Sequence, residues 1–78
     1  MEEDLKRAYE AYFKSREGLG STNQPNAGMS EIEDIEGNSY AVLRNVNGIL
    51  AVFNIPKNLS LELVELEEEN WPESLKEE

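Results

Sequence analysis

Residues 39–55 read Ser-Tyr-Ala-Val-Leu-Arg-Asn-Val-Asn-Gly-Ile-Leu-Ala-Val-Phe-Asn-Ile. Two runs rich in β-forming side chains flank the dipeptide Asn47-Gly48. An Asn-Gly pair between such runs is a strong hairpin signal, because a type I′ turn demands positive φ at both central residues and these residue types tolerate it. The stretch therefore predicts two antiparallel strands joined at Asn47-Gly48, with Val46 opposite Ile49. Running the ladder back places Arg44 opposite Ala51, Val42 opposite Phe53 and Tyr40 opposite Ile55 on one face. Ala41, Leu43, Leu50 and Val52 then share the other face, closed by Asn45 and Asn54. Both faces are apolar on this reading, whereas an antiparallel hairpin commonly turns one face to water. Something must cover each of them.

Working outward, Pro56 ends the second strand, since it has no N–H to give to a ladder. Leu59, Leu61 and Leu63 alternate with Ser60 and Glu62, the period of a further strand running to Leu66. Upstream, residues 31–35 read as a short edge strand closed by a turn at Glu36-Gly37-Asn38. Its acids, Glu31, Glu33, Asp34 and Glu36, do not follow the ligand order of a calcium loop and suit a solvated edge that discourages strand pairing. Before that edge, residues 18–30 are rich in Gly, Asn and Ser and show no period, so a flexible loop is expected. Gly18-Leu19-Gly20 is too short for a dinucleotide fingerprint and follows a helix where such a motif follows a strand.

The first segment predicts a helix over residues 2–17. Leu5, Ala8, Tyr9, Tyr12 and Phe13 fall on one stripe of a 3.6-residue period. Glu2, Glu3 and Asp4 suit the positive end of the helix dipole, Lys14 and Arg16 the negative end, and Gly18 a closing C′ position. At the other end, residues 67–78 form an acidic tail in which Asn70 is expected to cap a short helix over 71–77, with Glu73 at N3. So short a helix must dock, through Trp71 and Leu75, or fray. The fold class is α+β: an N-terminal amphipathic helix on a three- to four-stranded antiparallel meander, with a short C-terminal helix or tail, in one domain spanning residues 1–78.

Composition narrows the chemistry. The chain has 78 residues, no cysteine and no histidine. Disulfides, thiolate nucleophiles and imidazole bases are excluded, and the commonest metal ligand is missing. The expectation is a non-catalytic protein without cofactor, catalytic residues or metal. Seventeen acids against seven bases give a net charge of −10. That charge disfavours direct nucleic-acid binding and anionic membranes and favours a basic protein partner, which it would steer. No apolar run is long enough to cross a bilayer, the first residues are acidic where a signal peptide would be basic, and the lack of cysteine suits a reducing compartment, so a cytoplasmic location is expected.

Two functional classes fit: a small acidic adaptor, regulator or inhibitor of a basic partner, or an accessory subunit acting as a homo-oligomer or within a larger assembly. The expected partner-binding residues are Tyr40, Arg44, Phe53 and Trp71 with Glu67, Glu68 and Glu69 of the tail. Arg44 is the odd cation on an apolar hairpin face, either with its stem laid over apolar neighbours and its head reaching solvent or a carboxylate, or paired with an acid across an interface. Trp71 is either a core anchor or an interface hot spot. A homodimer through the second hairpin face is the self-association this pattern suggests.

Overall fold

A computed structural model describes residues 3–16, 24–26, 28–58 and 62–77. Gly18, Leu19, Gly20, Leu59 and Leu61 lie outside these residues, as does part of the expected loop over 18–30. The first element is helix α1, Glu3–Ser15, with Glu3 and Asp4 in its first turn and Lys14 in its last. It buries Leu5, Ala8 and Tyr12, the heart of the predicted stripe. Phe13, also on that stripe, stays exposed and stacks edge-on against Tyr12.

Strands β1 (Glu31–Ile35), β2 (Asn38–Asn45), β3 (Gly48–Ile55) and β4 (Val64–Glu65) follow. They pair antiparallel in the order β1-β2-β3-β4, a meander. The expected strand over 59–66 is thus reduced to Val64–Glu65 among the described residues, with Leu66 adding a backbone hydrogen bond to Val52 at 2.8 Å.

The hairpin register departs from the expectation. Asn45 pairs with Gly48 and Arg44 with Ile49, and the register then shifts so that Leu43 faces Ala51, Val42 faces Val52 and Ala41 faces Phe53. Leu50 is the extra residue at the bulge. Two physical facts account for this. Asn47 does not take positive φ; Gly48 does, at 112°. The turn is instead built from Asn45, whose side chain accepts the Asn47 N–H at 2.8 Å, with Gly48 as the closing residue. Asparagine at the first position and glycine at the fourth are the preferences of a turn followed by a glycine bulge. The true two-residue turn lies one hairpin earlier, at Glu36 and Gly37, with φ of 51° and 83°.

The shifted register reassigns β3. Ala51, Phe53 and Ile55 join Ala41 and Leu43 beneath α1, while Val52 joins Val42 and Tyr40 on the opposite face. Packing favours this arrangement. Ala8, Ala41 and Ala51 are almost wholly buried, and such small side chains let the helix settle close to the sheet while Phe53 and Leu43 fill the space beside them.

The opposite face is covered from within the chain. A 3₁₀ turn, Glu68–Asn70, leads into helix α2, Glu73–Lys76, which buries Leu75 against Val42 and Val52. Leu66 and Trp71 pack beside it. Asn70 does not cap α2 as expected. The residue before a proline is pushed toward extended backbone, and Trp71 and Pro72 are both extended, with ψ of 149° and 144°. The helix therefore cannot start before Glu73. Among the described residues no helix is long and apolar enough to cross a membrane.

Candidate functional site

Most cations among the described residues are answered within the chain. Arg44 Nη2 lies 2.6 Å from Glu33 Oε2 and Nη1 lies 3.6 Å from Glu31 Oε1. Glu31 is opposite Val42 and Glu33 opposite Tyr40, so the pairing runs diagonally across the β1–β2 ladder. The edge acids thus hold a cation, which the sequence reading of a solvated edge did not include. The backbone of Arg44 is satisfied by the segment before β1: its N–H donates to Ser30 Oγ at 3.0 Å and its carbonyl accepts from Asn26 N–H at 2.7 Å. That accounts for the burial of Ser30.

Arg16, just past α1, reaches Glu65 with both guanidinium nitrogens, at 3.1 and 2.8 Å. Its Cζ sits 3.9 Å from the centroid of the Tyr12 ring. Such a forked pair on an aromatic face combines bidentate hydrogen bonding with a cation–π contact. The hydrogen bond to Glu65 holds the guanidinium above its ordinary value against the opposing effect of partial burial. A raised folded-state value contributes stability that is fully present below the unfolded one and is lost only as pH climbs past it, so raising pH within the range in which proteins are handled does not discharge the guanidinium. Lys76 donates to the Glu69 carbonyl at 2.8 Å and lies 3.7 Å from Glu73.

The carboxylates of Glu67, Glu68 and Glu69 are different. All three are exposed and pair with no cation among the described residues. Glu67 and Glu68 stand on one wall of a groove of about 780 Å³. Asn47 and Gly48 of the hairpin turn form another wall, and Ser15 and Arg16 close the end next to α1. The lining is mostly polar, with a smaller apolar patch supplied by the half-buried Ile49 and Leu50 from β3, Leu66 and Trp71, over the buried Leu75. Trp71 is oriented by its indole N–H, which donates to the Leu66 carbonyl at 3.3 Å. An apolar patch beside unpaired carboxylates suits a group that is itself part apolar and part cationic.

The structure brings together some of the expected partner-binding residues and separates others. Trp71, Glu67 and Glu68 line the groove, with Glu69 adjacent in the same 3₁₀ turn. Trp71 is half-buried against Val42, Val52 and Leu75, so it is an anchor with one side in the groove. Tyr40 packs on the same sheet face but does not line the groove. Arg44 is held on the β1 side by its acids, the stem-over-neighbours arrangement and not a bond across an interface. Phe53 is 2% exposed beneath α1, out of reach of any partner of the folded chain. Its placement there follows from the shifted register. Arg16, Glu65 and Ile49 were missed as site residues. Only Arg16 had a local signal, its spacing of four from Tyr12 on one helix face; the pairing with Glu65 spans 49 positions and has none.

Comparison of the chain with protein-family models, with curated proteins and with solved structures returns no match.

Proposed function

We propose that this chain is a small acidic protein-interaction module, non-catalytic, acting as an adaptor, regulator or inhibitor of a basic partner. One observation carries the reading. Among the described residues four of the seven cations pair with the chain's own acids, while Glu67, Glu68 and Glu69 stand exposed without a cation beside a groove that carries an apolar patch at Ile49, Leu50 and Trp71. Three unpaired acids beside a half-buried tryptophan are what a partner part cationic and part apolar would meet.

The alternative, an accessory subunit associating through the second hairpin face, loses its motive. Val42 and Val52 on that face are sealed by Leu75 of the same chain. The test is affinity capture by the full chain in extracts of its native host at low and high salt. A stoichiometric basic partner, released as salt rises, is the expected result. Recovery of the chain's own copies alone, unaffected by salt, would reject the reading in favour of the homo-oligomer.

A further inference from the structure

We infer that the groove between the β2–β3 turn and the 3₁₀ turn is a docking site for a cationic amphipathic segment of a partner protein, whose apolar side chain seats on Trp71 and Ile49 while a neighbouring lysine or arginine reaches Glu67 and Glu68. The inference rests on the proposed function and specifies its chemistry and place.

The dimensions fit first. A volume of about 780 Å³ lies within the range of sites that take a compact ligand, roughly 300–1,000 Å³, and accepts two or three side chains of a peptide. The groove is built from separate parts of the chain, α1's end, the hairpin turn, β4 and the C-terminal segment, so its shape is held by the fold. Its floor offers an aromatic ring already fixed by a hydrogen bond, the kind of surface that concentrates binding energy at protein interfaces.

Charge decides the occupant. Glu65 is taken by Arg16 and Lys76 is taken by Glu69 and Glu73, so neither end of the lining offers a bare cation. The remaining charges are Glu67 and Glu68, both negative. An anionic ligand such as nucleic acid or a phosphorylated segment is repelled by them and by the net charge of −10. A simple polyamine would satisfy the carboxylates but leave the floor of Ile49, Leu50 and Trp71 wet. A protein segment carrying an apolar residue beside a cation satisfies both.

Trp71 is the only tryptophan in the chain, so its fluorescence reports on this site. The probes are three synthetic peptides: acetyl-Lys-Lys-Leu-Phe-Lys-Lys-amide, acetyl-hexalysine-amide and acetyl-Glu-Glu-Leu-Phe-Glu-Glu-amide. The first should shift Trp71 emission and the amide resonances of residues 47–50 and 65–76. Hexalysine should bind about tenfold more weakly, the worth of one seated apolar side chain, and the acidic peptide should not bind. The paired variant Glu67→Gln with Glu68→Gln should raise the Kd of the first peptide about fivefold. The control pair Glu3→Gln with Glu10→Gln alters net charge equally on exposed positions of α1 and should change it less than about twofold. Asn47→Lys, on the opposite wall, should weaken binding as the glutamate pair does. All these positions are exposed, so folding is retained, and circular dichroism verifies it. Equal effects of the two glutamate pairs, or equal binding of hexalysine with Trp71 silent, overturns the groove as the site while the acidic-surface reading stands. Failure of every basic peptide to bind at low salt overturns both.

Discussion

The two faces of the sheet are covered by very different means. On one, α1 lays Leu5, Ala8 and Tyr12 over Ala41, Leu43, Ala51, Phe53 and Ile55, eight buried residues in one cluster. On the other, Val42 and Val52 meet Leu75 as the only other fully buried residue of their cluster, with Leu66, Trp71, Tyr40, Ile35 and Ile49 half-buried around them. The first cover is a helix of 13 residues with a continuous stripe; the second is a 3₁₀ turn followed by a helix of four residues whose N-cap, Pro72, makes no side-chain hydrogen bond. A helix that short has no stability of its own. The difference teaches where recognition can sit. A surface that must accommodate a partner is drawn from the less stable parts of a fold, and the groove lies against the thinner cover.

The comparison is broken most severely by emptying the thick face. Phe53→Ala should destabilise by about 3–5 kcal/mol, a large share of the stability of so small a domain. It should show as a lower urea midpoint followed equally by circular dichroism and by Trp71 fluorescence. Leu75→Ala empties the thin face and should cost about 2 kcal/mol. Here the two probes should separate, with Trp71 responding before the α1–sheet unit. Coincident transitions in the Leu75 variant would mean that the two covers form one cooperative unit and that the contrast between them carries no dynamic meaning.

Which residues belong to which face depends on the bulge, and that is tested at Gly48. Its φ of 112° is unfavourable for any residue with a Cβ, although a Cβ there would meet nothing within 4 Å. Gly48→Val should therefore cost about 1–2 kcal/mol through backbone conformation alone. Cross-strand NOEs should show whether Ala41 still faces Phe53 in the variant. If the register slides to the Asn47-Gly48 type I′ pairing without loss of stability, the bulge does not decide the assignment of faces.

The sheet's existence was legible and its register was not, and the residues show why. Leu5, Ala8 and Tyr12 declare α1 because a stripe of period 3.6 has no competing interpretation. The apolar runs around residue 47 declare a hairpin equally well. But Asn45-Val46-Asn47-Gly48 contains asparagine at two places, so the same four residues suit a type I′ turn on Asn47-Gly48 or an Asn45-capped turn closed by Gly48. The choice is made by tertiary packing, which puts Ala51 and not Val52 in the cluster beneath α1 that holds Ala8. The turn at Glu36-Gly37 was legible from its glycine; what the sequence did not announce is that Glu36, a poor candidate for positive φ, adopts 51°. For the site, Trp71 and the acidic run stood out by composition, whereas the contribution of Ile49 and the Arg16–Glu65 tie depend on tertiary contacts that no local pattern announces.

The smallest expected effect concerns a flaw in the thicker cover. Tyr9 packs against the helix-side cluster, and its hydroxyl is buried without a hydrogen-bond partner among the described residues. A buried hydroxyl that has lost water and gained no acceptor costs about 1–3 kcal/mol. The ring itself stabilises, since it covers apolar surface beside Tyr12 and the sheet. Tyr9→Phe keeps the ring and removes the oxygen, so the variant should be more stable by about 0.5–1 kcal/mol, less than the full penalty because the oxygen's van der Waals contacts go with it. A rise in the urea midpoint with unchanged slope is the expected signature. The gain should be confined to the helix side: Trp71 emission in the folded protein should not move, and the opening of the C-terminal cover, read by hydrogen exchange at Leu75 and Lys76, should proceed at its original rate. A loss of stability on removing the oxygen would mean that the hydroxyl is bonded in solution, and the thick face would then hold a polar contact in place of a defect.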